Sequence, residues 1–600
     1  MRHRSVLLVP VLAAVCAGHA AAVPPTPAVP GPLRVLVNHV GYEASGPKKL
    51  VVQLTGSGAG PRAFQIVDDA GKVAFSGKLD KLQTVDHWTK GTFARGDFGA
   101  LVKPGRYRAR VQGARGAVTS EVFEVGTRLL PRASLSDLLN YFKSSRSSGV
   151  NDRHDRATPF FGGKRPPVDL HGGWYDASGD SSKYLSHLSY ANYMNPQQTP
   201  LAVWALLESA RLLRNNKDPH LVALVPRLEE EGLHGADFLV RMQDPAGYFY
   251  LTVFDQWSHD PSKREVSAYK SQKGDKSTDW QAAYREGGGV TIAALARAST
   301  LNTQGDYGQA QYLAAAEKGF AHLESKNLEY DDDHQENIID DYTALLAATE
   351  LQAATKKAVY LEAARRRAGS LMARLGDDDK EKGFWRADAK GERPYFHGAE
   401  AGFPVVALLR YAAVEPDEKR RQAVSAAVER SLAFELGITR EVFNPFGYAR
   451  QYVKDLGGSK RSAFFLAHKN ESGYWWQGED ARLASLAAAA ELGARAGSKR
   501  ASELQAYAAD QLDWILGLNP FDACMLNGKG HNNPEYLPGF PNSAGGISNG
   551  ITSGFTDEHD IAFLPSPYDK DEEQNWRWAE QWIPHGAWMV LALAVQAAEK

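Results

Sequence analysis

The chain is organised around the stretch His171-Gly172-Gly173-Trp174-Tyr175-Asp176-Ala177-Ser178-Gly179-Asp180. Its two carboxylates stand four positions apart, with two glycines before them and one between them. Glycine permits backbone angles that other residues avoid, so the pattern predicts a shaped loop and not a turn of helix. Trp174 and Tyr175 directly precede the first carboxylate, and aromatic rings offer flat apolar faces on which a sugar can stack. The stretch therefore predicts two acids held beside a bound sugar, although the aspartate spacing alone also fits an Asx-type surface turn.

This stretch resembles the first catalytic motif of glycoside hydrolase family 9, a Gly-Gly-Trp-Tyr-Asp-Ala-Gly-Asp that is followed by Lys-Tyr. Residues 172–180, with Lys183 and Tyr184, match that motif except that Ser178 is inserted. Cellulases of the family have their two aspartates three positions apart. A spacing of four resembles the branch of the family that contains exo-acting β-glucosaminidases. The resemblance implies a glycosidase and leaves its sugar open.

A third carboxylate, Glu580, lies near the end of the chain among Trp576, Trp578 and Trp582. A lone glutamate before an apolar helix is usually an N-terminal helix acid that the helix dipole stabilises. Burial beside aromatic side chains would instead raise its pKa and keep it protonated, as a general acid requires. Its position resembles the C-terminal Asn-Glu motif of family 9, which supplies the proton donor, although Ala579 stands where the family usually has asparagine.

The resemblance also implies the catalytic roles. Asp180 is expected to act as the base, Asp176 to help hold the water, and Glu580 to act as the acid of an inverting hydrolysis. Inversion needs the acid and the base about 6.5–9.5 Å apart, so that a water fits between them. No metal or other cofactor is expected in the chemistry. Structural calcium is common in the family, and Asp331-Asp332-Asp333 with Glu336 could bind it, but a solvated charged loop is the competing interpretation.

Aromatic residues and histidines recur at the predicted helix boundaries, where they would line a binding cleft. Family cellulases carry a Pro-His-Arg element after their Gly-x-Asn-Pro, and residues 528–534 lack it. His531 could replace the sugar-binding histidine of that element, and a turn-stabilising role fits equally well. The candidate substrate-binding residues are Trp174, Tyr175, His397, Trp476, His531 and Trp578.

Residues 1–22 predict a secretory signal, which places the protein outside the cytoplasm as a secreted or periplasmic protein. Arg2 and Arg4 form the basic start, residues 6–16 the apolar run, and residues 20–22 the small-residue cleavage site. The apolar run is too short to span a bilayer, and no later segment is long and apolar enough to do so. Without this segment the net charge changes from −2 to −4, because two arginines and no acid are lost. That charge argues against a nucleic-acid partner.

The chain contains two cysteines, which bear on lipid attachment and on disulfide formation. Cys16 raises the possibility of a lipoprotein, but Val15 is too bulky for a good lipid-attachment signal. After removal of the signal only Cys524 remains, so no intrachain disulfide is expected and core burial must stabilise the fold.

At 600 residues the chain should form at least two domains. Residues 23–32 contain five prolines and predict an extended tether. Residues 33–127 contain short β-rich runs separated by turn signals, which predict a small β-sandwich. Asn38-His39-Val40-Gly41-Tyr42 resembles the immunoglobulin-like module that precedes many family 9 catalytic domains, with a packing role and no site of its own.

Residues 130–600 turn to alanine and leucine at helical spacing, as in the helix expected after Thr199-Pro200. Roughly a dozen helices joined by aromatic and glycine-rich loops predict an all-α domain, an α/α barrel. The resemblance supports twelve helices as six pairs. Further helices are predicted over residues 221–242, 290–301, 312–323, 338–351, 358–375, 401–412, 421–436, 481–496, 501–516 and 582–598.

Three functions remain open from the sequence. The first is an inverting hydrolase of β-1,4-linked glucan of the cellulase or β-glucanase class, and the sequence leaves open whether it cuts internal bonds or trims short oligosaccharides from their ends. The second is an exo-β-D-glucosaminidase that acts on chitosan oligosaccharides, as the aspartate spacing suggests. The third is a carbohydrate-binding protein with an inactive barrel, which the presence of three carboxylates disfavours. The sequence gives no indication of the oligomeric state.

Overall fold

The computed structural model describes residues 33–56 and 60–599. The predicted signal segment, Cys16 and the proline-rich tether lie outside the described residues. Among the residues that are described, no helix is long and apolar enough to cross a bilayer.

The N-terminal domain is a β-sandwich, as predicted. Three strands form one sheet in the order β1-β3-β6, and the other sheet runs β2-β9-β7-β4-β5, with β8 paired to β7. The neighbours are antiparallel except for β2 and β9, which run parallel. The strands are β1 (Leu33–Leu36), β2 (Gly41–Glu43), β3 (Lys49–Leu54), β4 (Ala63–Asp68), β5 (Val73–Lys78), β6 (Thr92–Asp97), β7 (Gly105–Gly113), β8 (Gly116–Thr119) and β9 (Phe123–Gly126).

Strand β7 shows why the sheets face each other. Tyr107, Ala109 and Val111 are buried, whereas Arg106 and Arg108 between them are exposed. Successive side chains of a strand point to opposite faces, so this alternation places one face against the other sheet and the other in solvent.

The second domain is helical. Its helices are α1 (Leu129–Ser144), α2 (Gly149–His154), α3 (Thr199–Leu213), α4 (Pro219–Val222), α5 (Val225–Arg241), α6 (Gly289–Ala298), α7 (Gln309–Tyr330), α8 (Ile338–Thr355), α9 (Ala358–Ala373), α10 (Phe403–Ala412), α11 (Glu418–Arg440), α12 (Asp480–Arg495), α13 (Ala501–Ile515), α14 (Trp576–Ala579) and α15 (Ile583–Ala597). Within the described ranges twelve of these have ten or more residues, which is the number that the family resemblance implies.

The long helices form two concentric rings. Helices α3, α6, α8, α10, α12 and α15 pack side by side in that order, and α15 returns to α3. Each inner helix also packs against an outer one, namely α5, α7, α9, α11, α13 and α1 in the same order. Every residue of α6 is buried, whereas its outer partner α7 buries one side. A helix apolar on all sides belongs in the interior, so this pattern produces an (α/α)6 barrel.

Short strands form on the loops that connect the helices. Strands β10 to β13 make a four-stranded sheet next to the aspartate-bearing loop, and the others form two-stranded ladders. They are β10 (Lys183–Tyr184), β11 (Thr252–Phe254), β12 (Glu265–Tyr269), β13 (Lys276–Ser277), β14 (Leu375–Asp377), β15 (Lys382–Trp385), β16 (Gln451–Lys454), β17 (Lys460–Ala463), β18 (Thr552–Ser553) and β19 (Ile561–Ala562).

The two domains are joined by buried polar and aromatic contacts. Lys49 Nζ of the sandwich lies 2.6 Å from Asp510 Oδ1 of α13, and Asn38 Nδ2 donates to Asp513 Oδ1 over 2.8 Å. Trp88 packs against Trp514 with ring centroids 6.2 Å apart. The sandwich is therefore part of the structure that supports the barrel.

Candidate active site

The aspartate-bearing stretch forms an irregular loop above the barrel. Gly172 and Gly173 have φ values of 82° and 72°, a region that favours glycine. A Cβ atom at Gly173 would lie 2.8 Å from the Phe238 ring, so the position also needs a residue without a side chain. Asp180 N donates to Ala177 O over 3.2 Å and closes a turn between the two aspartates.

Each aspartate is held by two donors. The two oxygens of Asp176 accept from Gln198 Nε2 at 2.5 Å and from Trp582 Nε1 at 2.9 Å. Those of Asp180 accept from Ser182 N at 2.7 Å and from Tyr184 Oη at 2.6 Å. Charge-assisted hydrogen bonds of this kind fix the position of a carboxylate and favour its ionised form.

Glu580 lies between α14 and α15, on a segment that pairs with the aspartate loop. Ser178 N donates to Gln581 O over 2.9 Å, and Gln581 N donates to Ser178 Oγ over 2.9 Å. Ile583 N donates to Asp176 O over 3.0 Å. The inserted serine therefore links the two segments that carry the three carboxyl groups.

The Glu580 carboxyl reaches the turn between the aspartates. A Cβ atom at Gly179 would lie 2.8 Å from Glu580 Oε1 and 2.7 Å from Tyr536 Oη. Glycine is required here because any side chain would fill the space between the acids.

The three carboxyl groups open onto one cleft of about 550 Å³. Its walls are rich in aromatic rings and include five carboxylates. Its lining residues are Asp176, Ala177, Gly179, Asp180, Tyr184, His187, Leu188, Trp257, His259, Tyr269, Gln272, Tyr474, Trp475, Gln477, Tyr536, Phe540, Glu572, Glu573, Gln574, Trp576, Glu580 and Trp582.

The environment raises the pKa of all three carboxyls. Burial raises the pKa of Glu580 to about 8, and the charge of Asp180 adds to the rise. Burial and the charges of Asp180 and Glu580 hold the pKa of Asp176 well above its usual value. Burial and the neighbouring Asp255 also raise the pKa of Asp180, while Tyr184 and Ser182 oppose that rise. Three acids this close cannot all ionise easily, so a proton is retained in the cleft at neutral pH.

Asp255 is a buried carboxylate next to the site that sequence reasoning missed. It follows β11 and accepts from Ser181 Oγ at 2.8 Å and from Ser182 Oγ at 2.9 Å. It therefore fixes the two residues that follow Asp180. The local sequence carries no signal for this role, because Asp255 meets the loop only after the chain folds.

A buried ion cluster anchors the loop from below. Lys183 Nζ lies 2.7 Å from Asp155 Oδ2 and donates to the carbonyl oxygens of Leu170 and Gly172 at 2.6 and 2.9 Å. Arg264 makes two bonds to the same Asp155 carboxylate, each 2.8 Å long. This cluster explains the Lys-Tyr of the motif, since the lysine holds the loop and the tyrosine holds Asp180.

Comparison with known proteins gives matches to two sequence profiles. The sequence profile described as "Glycosyl hydrolase family 9" matches residues 132–539, and the profile described as "Cellulase N-terminal ig-like domain" matches residues 32–116. The chain belongs to glycosyl hydrolase family 9. The family 9 match ends before Glu580, so it does not include that residue.

Relatives of known structure share the family 9 fold at low identity. A metagenome-derived glycoside hydrolase family 9 endoglucanase is 20% identical with a TM-score of 0.66, and the alignment covers 94% of this chain and 99% of that one. A family 9 protein of Bacteroides ovatus is 19% identical with a TM-score of 0.64, over 94% and 98% of the two chains. A cellodextrinase of Butyrivibrio fibrisolvens is 26% identical over 247 residues. That match covers 38% of this chain and spans 41% of the cellodextrinase.

Four of the candidate substrate-binding residues of this family 9 chain lie away from the cleft. Trp174 is fully buried and donates to Glu231 Oε1 over 2.8 Å, and Trp578 is fully buried as well. Tyr175 turns outward and hydrogen-bonds Asn151 Nδ2 at 3.1 Å. Trp476 stacks on His468 with centroids 3.8 Å apart. Sequence position next to an acid could not show on which side of the loop each ring lies.

The two candidate histidines also lie off the cleft wall. His397 is fully buried, and its Nε2 lies 3.5 Å from Glu400 Oε1. His531 stacks on His39 of the sandwich at 3.7 Å with an interplanar angle of 16°, and both Nε2 atoms face Asp522 Oδ1, at 3.3 and 3.0 Å. These three residues are near enough to share a metal ion. However, an ion cannot lie in the planes of two parallel stacked rings, so in this arrangement both rings face the Asp522 carboxylate at the domain boundary without a shared metal.

The acidic run proposed for calcium meets basic side chains instead. Arg285 contacts Asp331 and Asp333, at 3.2 and 2.9 Å. Lys270 pairs with Asp332, and Arg367 lies 2.6 Å from Glu336. Asp331 is nevertheless fully buried, and burial together with the charge of Asp340 raises its pKa, so calcium binding here stays a prediction.

Proposed function

We propose that the protein is an inverting glycoside hydrolase that cleaves β-1,4-linked glucan from the ends of short chains. The observation that carries this proposal is the convergence of Asp176, Asp180 and Glu580 on one aromatic cleft. Two peptide segments that hydrogen-bond to each other hold these groups. Protein hydrogen bonds preorganise the carboxyls before any sugar arrives, which is what general acid–base catalysis requires.

In this mechanism Glu580 donates its proton to the leaving glycosidic oxygen. Asp180 accepts a proton from a water that attacks the anomeric carbon on the opposite face of the sugar. Asp176 lies in the same cleft as Asp180 and Glu580, and its role is to orient that water. Burial raises the pKa of both groups, but the Tyr184 and Ser182 bonds oppose that rise at Asp180 and favour the ionised form that a base needs. No metal or cofactor takes part in these steps.

Three partly exposed rings supply stacking surfaces for sugar rings. Trp257 is 40% exposed and Tyr474 is 50% exposed, and Trp576 at the start of α14 lines the same cleft. Large exposed aromatic side chains in a cleft are favourable contacts for the apolar faces of sugars.

Contact between two loops supports action at chain ends. His259 and Phe540 both line the cleft, and their ring centroids lie 4.9 Å apart. A cleft whose walls touch on one side accommodates a chain end more readily than a long chain that runs through. The predicted secretion signal fits this role, because such a substrate is found outside the cytoplasm.

The charge of the cleft favours one alternative, an exo-β-D-glucosaminidase on chitosan oligosaccharides. Five carboxylates line the cleft, including Glu572 and Glu573, and no lysine or arginine is among its described lining residues. A protonated 2-amino group would gain charge-assisted hydrogen bonds there that glucose cannot make. A binding protein without activity is the third candidate.

Parallel incubation with cello-oligosaccharides and chitosan oligosaccharides separates these functions. The glucan proposal predicts β-linked glucose chains shortened stepwise, with the α-anomer as the first product in a time-resolved NMR spectrum. Preferential release of glucosamine would support the alternative. A β-anomer as the first product would contradict inversion. Binding of both sugars without any product would indicate the third candidate.

A soluble long-chain cellulose derivative tests the mode of attack. Removal of single sugars from chain ends releases reducing sugar while viscosity falls slowly. A rapid early fall in viscosity would mean internal cuts and would contradict the exo proposal.

A further inference from the structure

The segment Ser548-Asn549-Gly550 runs alongside the segment that carries Glu580. Asn549 N donates to Glu580 O over 2.7 Å, and Gly550 N donates to Trp578 O over 2.9 Å. Ser548 pairs with Gln581 in an antiparallel bridge. The backbone of Glu580 is thus fixed by a segment more than twenty-five residues earlier in the chain, independently of the aspartate loop.

The Asn549 side chain is oriented by two bonds. Its Nδ2 donates to Trp576 O over 2.6 Å, and its Oδ1 lies 2.7 Å from His585 Nε2. Asn549 and His585 are both fully buried. Since burial lowers the pKa of His585 to about 3, the ring is neutral and carries one N–H, which Nε2 donates to the amide oxygen. This bond prevents the amide from flipping and leaves one N–H of Nδ2 for another acceptor.

We propose that Asn549 and His585 are positioning residues for Glu580, with the amide of Asn549 directed at the Glu580 carboxyl and His585 holding that amide in place. The backbone pairing of Asn549 with Glu580 places this amide beside the Glu580 side chain, and a hydrogen bond from the Asn549 side chain acts on that carboxyl. The inference rests on the proposed function, because it assigns a role in delivering the proton of the general acid.

Electrostatics gives this arrangement a measurable consequence. The Asn549 hydrogen bond stabilises ionised Glu580 and so lowers its pKa, against the burial and the Asp180 charge that raise it. The other ionisable groups that face Glu580 are Asp176 of the loop, Tyr141 of α1 and Tyr536 of the cleft wall. None of these is a cation, so the Asn549 amide and the Gly179 N–H are the groups that lower the pKa of Glu580 and keep its proton transferable. Without the amide, the pKa of Glu580 should rise and the carboxyl should swing more freely.

The test compares Asn549→Ala, His585→Leu and His585→Gln with the wild-type enzyme. On unsubstituted oligosaccharides we expect Asn549→Ala and His585→Leu to lower kcat by about tenfold to a hundredfold, part of a general-acid contribution of about 10²–10⁴. The alkaline limb of the pH–rate profile should move to higher pH. His585→Gln offers an amide N–H to Asn549 Oδ1 and should restore most of the rate. Asn302→Ala, at an exposed asparagine on another loop, should change nothing.

Leaving-group dependence separates positioning from general damage. A dinitrophenyl glycoside needs little protonation of its leaving group, so the defects of Asn549→Ala and His585→Leu should shrink on that substrate. An equal defect on both substrates, or an unmoved alkaline limb, would overturn the proposal. If Asn549→Ala fails to fold, Asn549→Ser takes its place, and infrared titration of the Glu580 carboxyl reads the same pKa change without turnover. A wild-type enzyme inactive on every β-linked sugar would instead overturn the proposed function.

Discussion

At the residue scale, Glu580 combines burial with the neighbouring charge of Asp180. Burial, with the charge of Asp180, raises its pKa to about 8, and the form that catalyses is the protonated one. We therefore expect activity to be retained at neutral pH and lost as pH rises through about 8. The measurement is kcat against pH on an unsubstituted oligosaccharide. A profile that stays flat well above that value would show that another group supplies the proton.

Removal of either reacting carboxyl should abolish most turnover while the fold survives. Asp180→Asn removes the base and Glu580→Gln removes the acid, and each should lower kcat by about 10²–10⁴-fold on an unactivated substrate. The unfolding midpoint should change little, because each amide can keep part of the hydrogen bonding of the acid it replaces. Near-normal hydrolysis by either variant would remove that residue from the mechanism.

The site shows which residues a sequence can reveal. Asp176, Asp180 and Glu580 stand in motifs, so their meeting in one cleft followed from the resemblance. Asp255 and Asn549 come from loops without such a motif and reach the carboxyls through tertiary contacts. Aromatic residues next to an acid could not be placed, because neighbouring positions in an irregular loop face different sides.

At the element scale, Ser178 ties the aspartate loop to the Glu580 segment. Its hydroxyl accepts from Gln581 N over 2.9 Å. Ser178→Ala would leave that N–H without its partner, at a cost of about 1–3 kcal/mol in the free energy of unfolding. We expect lower kcat as well, because Glu580 would no longer be held at a fixed position relative to Asp176 and Asp180. Ser178→Thr keeps the hydroxyl and is the matched control, and denaturant unfolding with oligosaccharide kinetics gives both values. Equal behaviour of the two variants would contradict the link.

The ion cluster below the loop should matter more for stability. Asp155 is fully buried between Lys183 and Arg264, so Asp155→Asn would leave two buried cations without a counter-charge. Loss of one partner from a buried pair costs about 3–5 kcal/mol, and we expect that loss in denaturant unfolding. Asp379→Asn, at an exposed aspartate, is the control and should leave stability unchanged. A similarly small effect of Asp155→Asn would show that water reaches the cluster.

Helix periodicity was enough to predict a helical domain, but it did not show where a predicted helix is interrupted. The run predicted over residues 221–242 is two helices, α4 and α5, because Pro226 cannot continue the helix from α4 and instead begins α5. The sequence also could not show which helices form the inner ring and which the outer ring, because this depends on which helix of each pair is buried on all sides. The resemblance to family 9, and not periodicity, supplied the number of helices.

At the scale of the whole molecule, the sandwich covers apolar surface of the barrel. Trp88 is 4% exposed and lies among Trp514, Phe464 and Phe446 of the helical domain. Buried polar bonds such as Asn38 to Asp513 accompany this contact. The two domains should therefore unfold in one transition, although each has its own hydrophobic core.

The Trp88→Ala variant tests that coupling. Removal of a buried tryptophan costs about 3–5 kcal/mol when its surroundings cannot collapse, and here the cavity would open between the domains. The helical circular dichroism signal comes mainly from the barrel, so we expect its thermal transition to fall although the substitution lies in the sandwich. Val102→Ala, at a side chain that is 60% exposed, is the control and should leave the transition in place. A helical transition that keeps its midpoint while the sandwich melts separately would mean that the domains are joined without stabilising each other.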